Sequence, residues 1–467
     1  MTTIWQEALD TLYGLANWET RPPGARHDFG LERIRGLLEA LGDPQAAWPA
    51  VHVAGTNGKG STCAMLASAL VAAGYRVGLY TSPHLHTVRE RVQVDGELIS
   101  EAAVIAWLDA HRGLLEATPG LTTFEALTAL AFSHFRDAGV DVAVVEVGLG
   151  GRLDTTNVVL PVVSVLTAIG LDHTEVLGPT LAAIALDKCG ILRPGVAVVS
   201  APQEDEAGAV VEAEAVRVGA PLTRVGRDVR WHARPTADGE RLAVEVGGDD
   251  GPRLFDLALG LAGPHQHENA ATAVGALVRL AERGWALDRR AVERGLAEAR
   301  WPARFERFGD GPVLVIDGAH NPHGAAALVR ALAAHHPGAR RHLVVGASYG
   351  KDVEGILAAL LPAVTTVVAT RADHPKAMPA SEVAETAGAL GYAVRVADSP
   401  SQALELALGA AEPSDVVVAA GSIFVAADVR EAWLARAGLP LPPRDPPIPA
   451  DQLPSGDSAT TETHAPG

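Results

Sequence analysis

The chain has 467 residues, too many for one comfortable hydrophobic core, so its length predicts two domains. A net charge of −18 argues against nonspecific binding to nucleic acid, and the two cysteines, Cys63 and Cys189, form neither a disulfide framework nor a zinc knuckle. No stretch reaches the roughly 18 uninterrupted apolar residues of a membrane span. Residues 1–10 lack the apolar core of an export signal, and we expect a cytoplasmic protein that binds neither nucleic acid nor membrane.

The segment from Val51 to Thr62 predicts a phosphate-binding loop. A short β-branched strand leads into a turn with three glycines, a lysine and a hydroxyl, and then into a helix. Glycines let backbone N–H groups approach an anion, and the N-terminus of a helix carries partial positive charge. Lys59 can reach the outer phosphates of ATP, and Ser61 or Thr62 can hold Mg²⁺. The expected nucleotide contacts are Thr56, Asn57, Gly58, Lys59, Gly60, Ser61 and Thr62.

This loop departs from the common G-x-x-x-x-G-K-[ST] pattern. Val53 stands where the first glycine would be, and Gly60 separates Lys59 from Ser61. A glycine-rich turn capped by Ser61 is therefore the alternative interpretation. The flanking strand and helix favour the nucleotide loop.

Valine-rich runs alternate with helical patterns along the chain, which is typical of buried parallel strands and their crossover helices. In the first part we expect strands at 76–80, 142–147, 162–168 and 196–200, antiparallel hairpins around 223–256, and a long helix from near Asn269. The composition changes at Arg300-Trp301-Pro302, after which strands are expected at 313–317, 343–346, 364–369, 393–396 and 416–419. We predict an α/β protein with a P-loop-type doubly wound ATPase domain (1–299), a smaller Rossmann-like α/β domain (300–438) and a disordered Pro/Ser/Thr-rich tail (439–467).

A carboxylate stands inside the apolar strand that runs into a glycine-rich turn between Val144 and Asp154. Burying Glu146 is costly unless the charge is paired or bound to a metal. Two interpretations stay open from this segment alone: Glu146 is a magnesium ligand, or it forms an ion pair with Arg152.

Another apolar strand leads into Asp172 and His173. Open α/β sheets place ligands at the carboxyl ends of their strands. A lone His173 would more simply be a structural histidine, but Ser82 and Glu146 stand at other strand ends, and together the three indicate a shared metal site. Lys188, on the next helix, is either a solvated lysine or a partner of Asp187.

Polar side chains also flank the change in composition. The run from Gly263 to Asn269 opens a helix with groups that can bind a base or ribose, or that form an N-terminal cap. Asp317 ends a strand and His320 precedes a helix, so both are expected to face a crevice between the domains. Arg304 in that crevice can neutralise a phosphate supplied by the other domain.

In this order, the motifs closely resemble those of the folylpolyglutamate synthase and dihydrofolate synthase family, relatives of the Mur peptide ligases. The resemblance covers Leu12 to about Trp433. Its motifs are Gly55–Ser61, Thr81–Leu85, Glu90-Arg91, Glu146–Asp154 with Asn157, Asp172-His173, Arg304–Glu306 and Asp317–Pro322. Tyr349-Gly350 before Lys351, and the run Arg371–Lys376, depart from the family pattern.

The resemblance implies an ATP-dependent ligase that joins the carboxylate of tetrahydrofolate or dihydropteroate to the amine of L-glutamate through an acyl phosphate. It implies Ser82 and Glu146 as ligands of one Mg²⁺, Glu146 and His173 as ligands of a second, and carbamylation of Lys188 beside them, with a monovalent cation as a further cofactor to consider. It also implies nucleotide contacts from Asn269, Arg304, Asp317 and His320. Lys59, Lys188, His173 and Arg304 are then the expected catalytic residues, in a protein expected to be a monomer.

All of these substrates are anions, so an acidic protein must gather positive charge locally. The cations in or beside the motifs are Lys59, Arg89, Arg91, Arg152 and Arg304. A Mur-type ligase for a non-folate carboxylate is the nearest alternative, although cell-wall ligases typically carry an extra N-terminal domain and only residues 1–50 precede this loop. A P-loop NTPase switch, or a binding module without catalysis, would explain the loop but not the other motifs together.

Overall fold

The structure is a computed structural model that describes residues 3–16, 30–236, 239–248 and 251–446. The predicted α/β class is confirmed, with one large mostly parallel sheet in the N-terminal domain and a second, smaller one in the C-terminal domain. The predicted boundary between residues 299 and 300 falls in the segment that joins the last helix of the first domain to the first strand of the second.

The N-terminal domain contains the large sheet and a small antiparallel one. Its strands are β1 (Ala50–Ala54), β2 (Val77–Tyr80), β3 (Val92–Val94), β4 (Glu97–Leu98), β5 (Val142–Glu146), β6 (Pro161–Leu166), β7 (Ala197–Ser200), β8 (Leu222–Arg224), β9 (Val229–Thr236), β10 (Gly239–Val246) and β11 (Arg253–Leu257). Its helices are α1 (Ile4–Tyr13), α2 (Glu32–Ala40), α3 (Lys59–Ala72), α4 (Glu101–Glu116), α5 (Thr123–Ala138), α6 (Thr174–Leu177), α7 (Leu181–Lys188), α8 (Asp205–Val218), α9 (Pro264–Glu282) and α10 (Arg289–Glu298).

The large sheet has the strand order β4-β3-β2-β5-β1-β6-β7-β8, parallel from β2 to β8, with β3 and β4 added antiparallel at one edge. Strands β1 and β5 are buried along their whole length, which explains their continuous runs of valine and alanine. Because β1, β2, β5 and β6 are parallel neighbours, the loops that follow them meet at one edge of the sheet. The phosphate-loop motif and the predicted metal ligands lie at the carboxyl ends of these strands or in the segments that follow them.

The C-terminal domain is a second layered α/β unit. Its strands are β12 (Glu306–Phe308), β13 (Val313–Ile316), β14 (Arg341–Val345), β15 (Thr366–Ala369), β16 (Arg395–Val396) and β17 (Val416–Ala420). Its helices are α11 (Pro322–His335), α12 (Val353–Leu360), α13 (Ala380–Ala389), α14 (Pro400–Ala410) and α15 (Ile423–Arg436). The strand order is β12-β13-β17-β14-β15-β16, and β12 alone of these runs antiparallel to its neighbour.

One helix begins earlier than the sequence predicts, and another has an N-cap other than the one considered. Helix α9 begins at Pro264 rather than near Asn269, because proline suits the first position of a helix, where no N–H bond is needed. Helix α3 begins at Lys59, and Gly58 rather than Ser61 is its N-cap. The predicted hairpins are confirmed as the sheet β11-β10-β9, but Thr223 belongs to β8 of the large sheet.

The segment predicted as a disordered tail begins with residues that make defined contacts. Residues 441–446 have no regular secondary structure, yet Arg444 pairs with α15 and Asp445 accepts hydrogen bonds from the N-terminal domain. Proline richness by itself does not distinguish a disordered segment from an extended one that is held by contacts. The rest of the predicted tail, 447–467, lies outside the described residues.

The structure also bears on the two cysteines and on membrane-spanning helices. Cys63 and Cys189 are both buried and free. Over the described ranges, none of the helices has the length and apolar composition needed to cross a membrane.

Helix α3, which follows the phosphate loop, packs closely against α10. This packing can be tested by substitution. A Cβ added at Gly295 in α10 would lie 2.6 Å from the backbone nitrogen of Ala69 in α3, and Ser68 Oγ donates to the carbonyl of Gly295 at 2.7 Å. Overpacking of this kind costs about 1–3 kcal/mol. We therefore expect Gly295→Ala to lower the free energy of unfolding by about that amount, measured by urea denaturation.

Gly113→Ala is the matched control, because Gly113 is exposed in α4 and an added Cβ there meets nothing within 4 Å. Replacing an exposed helical glycine by alanine stabilises a helix by about 0.5–1 kcal/mol. Equal effects of the two substitutions would contradict the close packing of α10 on α3.

Candidate active site

The loop after β1 leaves the N-terminus of α3 open to an anion. The backbone N–H groups of Thr56 and Asn57 donate to the carbonyl of Ala168, at 2.9 and 3.1 Å, which fixes the start of the loop. Gly58 adopts φ +85° and caps α3 without a side-chain hydrogen bond. The first N–H groups of the helix are therefore directed at the loop without a side-chain cap, the arrangement that binds phosphates.

Neighbouring side chains leave no room for a Cβ at the glycines of this loop. A Cβ at Gly55 would collide with Thr167, one at Gly58 with Asn269, and one at Gly60 would lie 2.7 Å from Trp301 Nε1. The loop thus forms a cradle whose backbone is exposed to a ligand on one side and packed tightly on the other. This geometry fits a bound phosphate chain.

Glu146, at the end of β5, is a buried carboxylate beside Lys59. Lys59 Nζ lies 3.9 Å from Glu146 Oε1 and donates to the carbonyl of Thr56 at 3.3 Å. Burial raises the pKa of Glu146, and the charge of Lys59 opposes that rise. Arg152, the alternative partner of Glu146, instead donates to the carbonyl of Leu186.

Three of the five cations found in or beside the motifs oppose, through their charge, the rise in the pKa of Glu146 that burial causes. After Lys59, the charges of Arg304 and Arg91 also oppose the rise in the pKa of Glu146. Arg91 is buried, and its Nε donates to His84 Nδ1 at 2.9 Å. Arg89 is not among the cations that affect Glu146; its Nε donates to the carbonyl of Ile99.

The predicted metal ligands are only partly brought together. The backbone N–H of Ser82 donates to Glu146 Oε2 at 3.2 Å, so these two residues are neighbours. In the part of the chain that the structure describes, no three histidine, cysteine, aspartate or glutamate side chains are grouped as a metal cluster. Mg²⁺ does not require such a cluster, since it is commonly held by one or two carboxylates together with phosphate oxygens and water. A single buried carboxylate beside an open phosphate cradle therefore fits magnesium.

The hydroxyls of Ser61 and Thr62 lie just inside α3. Ser61 Oγ accepts a hydrogen bond from Gln266 Nε2 at 3.2 Å. Thr62 is fully buried, and its Oγ1 has no hydrogen-bond partner among the described residues. Gln266 of α9 thus fixes the orientation of the Ser61 hydroxyl, which suits a residue that presents this group to a ligand.

His173 contacts the C-terminal domain through Lys351. Lys351 Nζ donates to Asp172 Oδ1 at 2.8 Å and lies 3.2 Å from His173 Nε2. Burial and then the charge of Lys351 lower the pKa of His173 to about 3, so its ring is neutral, the form that binds a metal. Burial raises the pKa of Asp172, but Lys351 and two histidines outweigh it and hold that pKa well below its usual value.

Lys188 is buried, so the solvated interpretation is wrong. Its Nζ donates to the carbonyl of Gly55 at 2.9 Å, directly under the phosphate loop. Burial, followed by the charge of Lys59, lowers the pKa of Lys188 to about 7. An appreciable fraction of this amine is therefore neutral and nucleophilic near neutral pH.

Asp317 and Arg304 form a strained turn at the start of the C-terminal domain. Both oxygens of Asp317 accept backbone hydrogen bonds, from Phe305 and Ala319, each at 2.8 Å. Ala303 and Phe305 on either side of Arg304 have φ of +54° and +48°, a region that non-glycine residues avoid. Asp317 therefore organises the turn that presents Arg304.

The remaining predicted contacts are Asn269 in the N-terminal domain and His320 in the C-terminal domain. Asn269 Nδ2 donates to Gln266 Oε1 at 2.9 Å, and its side chain packs against Gly58. His320 Nδ1 lies 2.8 Å from the carbonyl of Gly318, and burial lowers the pKa of His320 to about 4.

Asn321 and His323, for which the sequence predicted no individual role, connect the phosphate loop to the C-terminal domain. The side-chain amides of Asn57 and Asn321 bond reciprocally, at 3.0 and 3.3 Å, and Asn57 Nδ2 lies 2.8 Å from His323 Nδ1. Asn321 also donates to Asp172 at 3.1 Å. The only signal in the sequence was the Asn-Pro pair that opens α11; Lys351 lies in a segment noted as a departure from the family pattern.

Comparison with known proteins identifies both domains. The family described as "Mur ligase middle domain" matches residues 53–277, and "Mur ligase, glutamate ligase domain" matches residues 303–423. The folylpolyglutamate synthase of Lacticaseibacillus casei is 38% identical over 415 residues, which cover 86% of this chain and 94% of that protein.

A probable bifunctional folylpolyglutamate synthase/dihydropteroate synthase of Haloferax volcanii is 40% identical over 444 residues. The match covers 93% of this chain but only 51% of the archaeal protein, so the chain spans about half the length of that relative. The archaeal protein is therefore longer than the part that resembles this chain.

A solved structure shares the whole architecture. The bifunctional folylpolyglutamate synthase/dihydrofolate synthase of Yersinia pestis, in complex with AMPPNP and a manganese ion, superposes with a TM-score of 0.79 at 33% identity, over 94% of this chain and 99% of that one. Fold, motif order and sequence identity agree along nearly the whole chain. The chain belongs to the folylpolyglutamate synthase/dihydrofolate synthase family of Mur ligases.

Proposed function

We propose that this protein is an ATP-dependent amide ligase that adds L-glutamate to a folate-type carboxylate, in tetrahydrofolate, dihydropteroate or both. The observation that carries the proposal is the contact of the phosphate loop with the C-terminal domain, through Asn57 and Asn321. An acyl phosphate hydrolyses readily, and a cleft between two domains can exclude water from it. The relative from Lacticaseibacillus casei is named a folylpolyglutamate synthase, and the one from Yersinia pestis a bifunctional folylpolyglutamate synthase/dihydrofolate synthase.

We assign ATP to the cradle at the N-terminus of α3. Its phosphates would contact the residues of the loop, which are Thr56, Asn57, Gly58, Lys59, Gly60, Ser61 and Thr62. Asn269, Arg304, Asp317 and His320 would face the nucleotide from α9 and from the C-terminal domain. The ATP analogue AMPPNP and the manganese ion in the Yersinia pestis structure support a nucleotide and a divalent cation.

The residues that would hold Mg²⁺ are Ser61, Ser82, Glu146 and His173. Glu146 and neutral His173 offer a carboxylate oxygen and a ring nitrogen, and the two serines offer hydroxyls. When bound, the ion neutralises the charge that develops on the transferring phosphoryl group.

The reaction then proceeds in two displacements. A carboxylate oxygen of the folate-type substrate attacks the γ-phosphorus of ATP, and the bond to the bridging oxygen breaks to release ADP and leave an acyl phosphate. Lys59, Arg304 and the N–H groups of α3 are placed to stabilise the charge in this step. The neutral amine of glutamate next attacks the acyl carbonyl, phosphate leaves, and the nitrogen loses a proton to give the amide.

We further propose that Lys188 is carbamylated. Its neutral amine attacks CO₂ and loses a proton, which converts a cation under the phosphate loop into an anion. The burial of the amine and its lowered pKa of about 7 support this assignment. The carbamate would lie beside Gly55, close enough to the cradle to help to orient a cation there.

We also propose four further properties of the protein. A monovalent cation beside the magnesium sites, a monomeric state, a domain boundary at residues 299 and 300, and a cytoplasmic location are all carried over from the sequence.

The substrates needed for phosphate release test the proposed reaction. We expect release of inorganic phosphate from ATP and Mg²⁺ only when L-glutamate and either dihydropteroate or tetrahydrofolate are both present. Turnover with both acceptors means a bifunctional enzyme, and turnover with one assigns its step. Phosphate release without an acceptor would favour an NTPase switch, and ATP binding without turnover on either acceptor would favour a Mur-type ligase for another carboxylate.

Substitution of Lys59 tests its role in phosphoryl transfer. Removing its ammonium group takes away charge stabilisation in the phosphoryl-transfer step, and Lys59→Ala should lower kcat by about 10²–10³-fold. Arg112→Ala, which removes an exposed cation from α4, is the control and should leave kcat unchanged. Near-normal kcat in a folded Lys59→Ala protein would remove Lys59 from the mechanism.

Carbamylation of Lys188 can be detected directly. Because the chain has only four lysines, a ¹³C carbamate formed from labelled bicarbonate can be assigned by substitution. We expect the signal at pH 8, where an amine with a pKa of about 7 is mainly neutral, and its loss at pH 6. It should disappear in Lys188→Arg and persist in Lys376→Arg; persistence in Lys188→Arg would place any carbamate elsewhere.

A further inference from the structure

We propose that Asp445 is a positioning residue for the ligase reaction, because it fastens the C-terminal segment to the loop from Thr81 to Arg91, which carries Ser82. This loop is called the serine loop below. The proposal rests on the proposed function, since Ser82 matters as a magnesium ligand of that reaction. It concerns a part of the chain that the sequence analysis predicted to be disordered.

Asp445 is held by the outer turn of the serine loop. Its Oδ2 accepts from the backbone N–H of Val88 at 2.6 Å, and its Oδ1 accepts from Thr87 Oγ1 at 2.7 Å and from Trp5 Nε1 at 3.3 Å. The backbone N–H of Asp445 donates to the carbonyl of His86 at 3.0 Å. Hydrogen bonds to a carboxylate are stronger than those between neutral groups, so this set is a specific attachment.

The preceding residue holds the other domain. Arg444 pairs with Asp428 at 3.0 Å and with Glu431, both on α15 of the C-terminal domain. Two consecutive side chains therefore contact opposite domains. The segment 439–446 is a second connection between the domains, in addition to the linker before β12.

The serine loop is rigid enough to transmit this attachment. Glu90 accepts from the N–H groups of Leu85, His86 and Thr87, at 2.7, 2.9 and 3.2 Å. The N–H of Thr81 donates to the carbonyl of Arg91 at 3.0 Å, which closes the base of the loop. Ser82, one residue further on, contacts Glu146.

The same loop also packs on the C-terminal domain. Leu85 lies against the apolar cluster formed by residues of that domain, among them Leu314 and Val425. The loop that carries Ser82 thus has two contacts with the C-terminal part of the chain, one through Leu85 and one through Asp445. A displacement of the C-terminal domain would act on Ser82 through both contacts.

Prolines explain why this segment can be ordered without regular structure. Residues 439–446 read LPLPPRDP, with four prolines in eight positions. Each proline fixes φ near −65° and favours an extended chain, so little conformational entropy is lost when the segment docks. The segment is stiff enough to place Arg444 and Asp445 at a defined distance from α15.

Amide hydrogen exchange on the protein without ligands tests the attachment. The N–H groups of Leu85 and His86 bond to Glu90 and not to Asp445, so their exchange reports on the loop rather than on the deleted contact. We expect Asp445→Ala to speed their exchange about tenfold or more, with a smaller effect for Asp445→Asn. Arg444→Ala should act in the same direction, and Asp109→Ala, which removes an exposed carboxylate of α4, should have no effect.

Binding of AMPPNP and turnover test the positioning role. In Asp445→Ala we expect a three- to tenfold higher Mg²⁺ concentration for half-maximal AMPPNP binding and a similar fall in kcat, with the KM for glutamate changed less than twofold. A merely structural role would lower the melting temperature without shifting the Mg²⁺ requirement. Asp445→Asn, which keeps an acceptor oxygen, should restore part of the loss.

Each outcome decides a separate question. Unchanged exchange of Leu85 and His86 in Asp445→Ala overturns the attachment. Faster exchange with an unchanged Mg²⁺ requirement for AMPPNP binding overturns the positioning role. Because neither exchange nor AMPPNP binding needs a folate or glutamate, wild-type protein that lacks ligase activity would refute the proposed function and leave these results interpretable.

Discussion

A carboxylate buried at the end of a parallel strand must be matched by positive charge, and that requirement organises this site. Glu146 is the acid, and Lys59, Arg304 and Arg91 supply the charge from three different segments. Each cation is itself held by its surroundings: Lys59 by the carbonyl of Thr56, Arg304 by a strained turn, and Arg91 by His84. The arrangement keeps cations within reach of an anionic substrate in a protein whose net charge is −18.

The second constraint is that the site is divided between two domains. The phosphate loop meets Asn321 and His323 at the start of α11, and Lys351 reaches across to Asp172. Neither domain alone completes the environment of the loop. A ligase that generates an intermediate sensitive to water benefits from such a division, because bringing the domains together both assembles the site and excludes solvent.

The sequence was most informative where chemistry and periodicity coincide. Valine-rich strands such as β1 and β5, and the glycine-rich loop between β1 and α3, could be placed to within one or two residues because burial on both faces and phosphate binding restrict the residue types. The pairings of Asn57 with Asn321 and of Lys351 with Asp172 could not be predicted, because no local sequence pattern encodes which side chains meet across a cleft. Proline-rich composition likewise predicted disorder for a segment in which Asp445 finds partners far away in the chain.

The tight packing behind the phosphate loop limits the order in which this site can change during evolution. Each of the three loop glycines is backed by a side chain from a different part of the fold, so a larger residue first needs a smaller partner. At Gly55 and Gly58 it would still be strained by the positive φ. A drug that contacts this backbone would therefore face few single-step routes to resistance within the loop. The positions where compensating changes would have to come first are Thr167, Asn269 and Trp301.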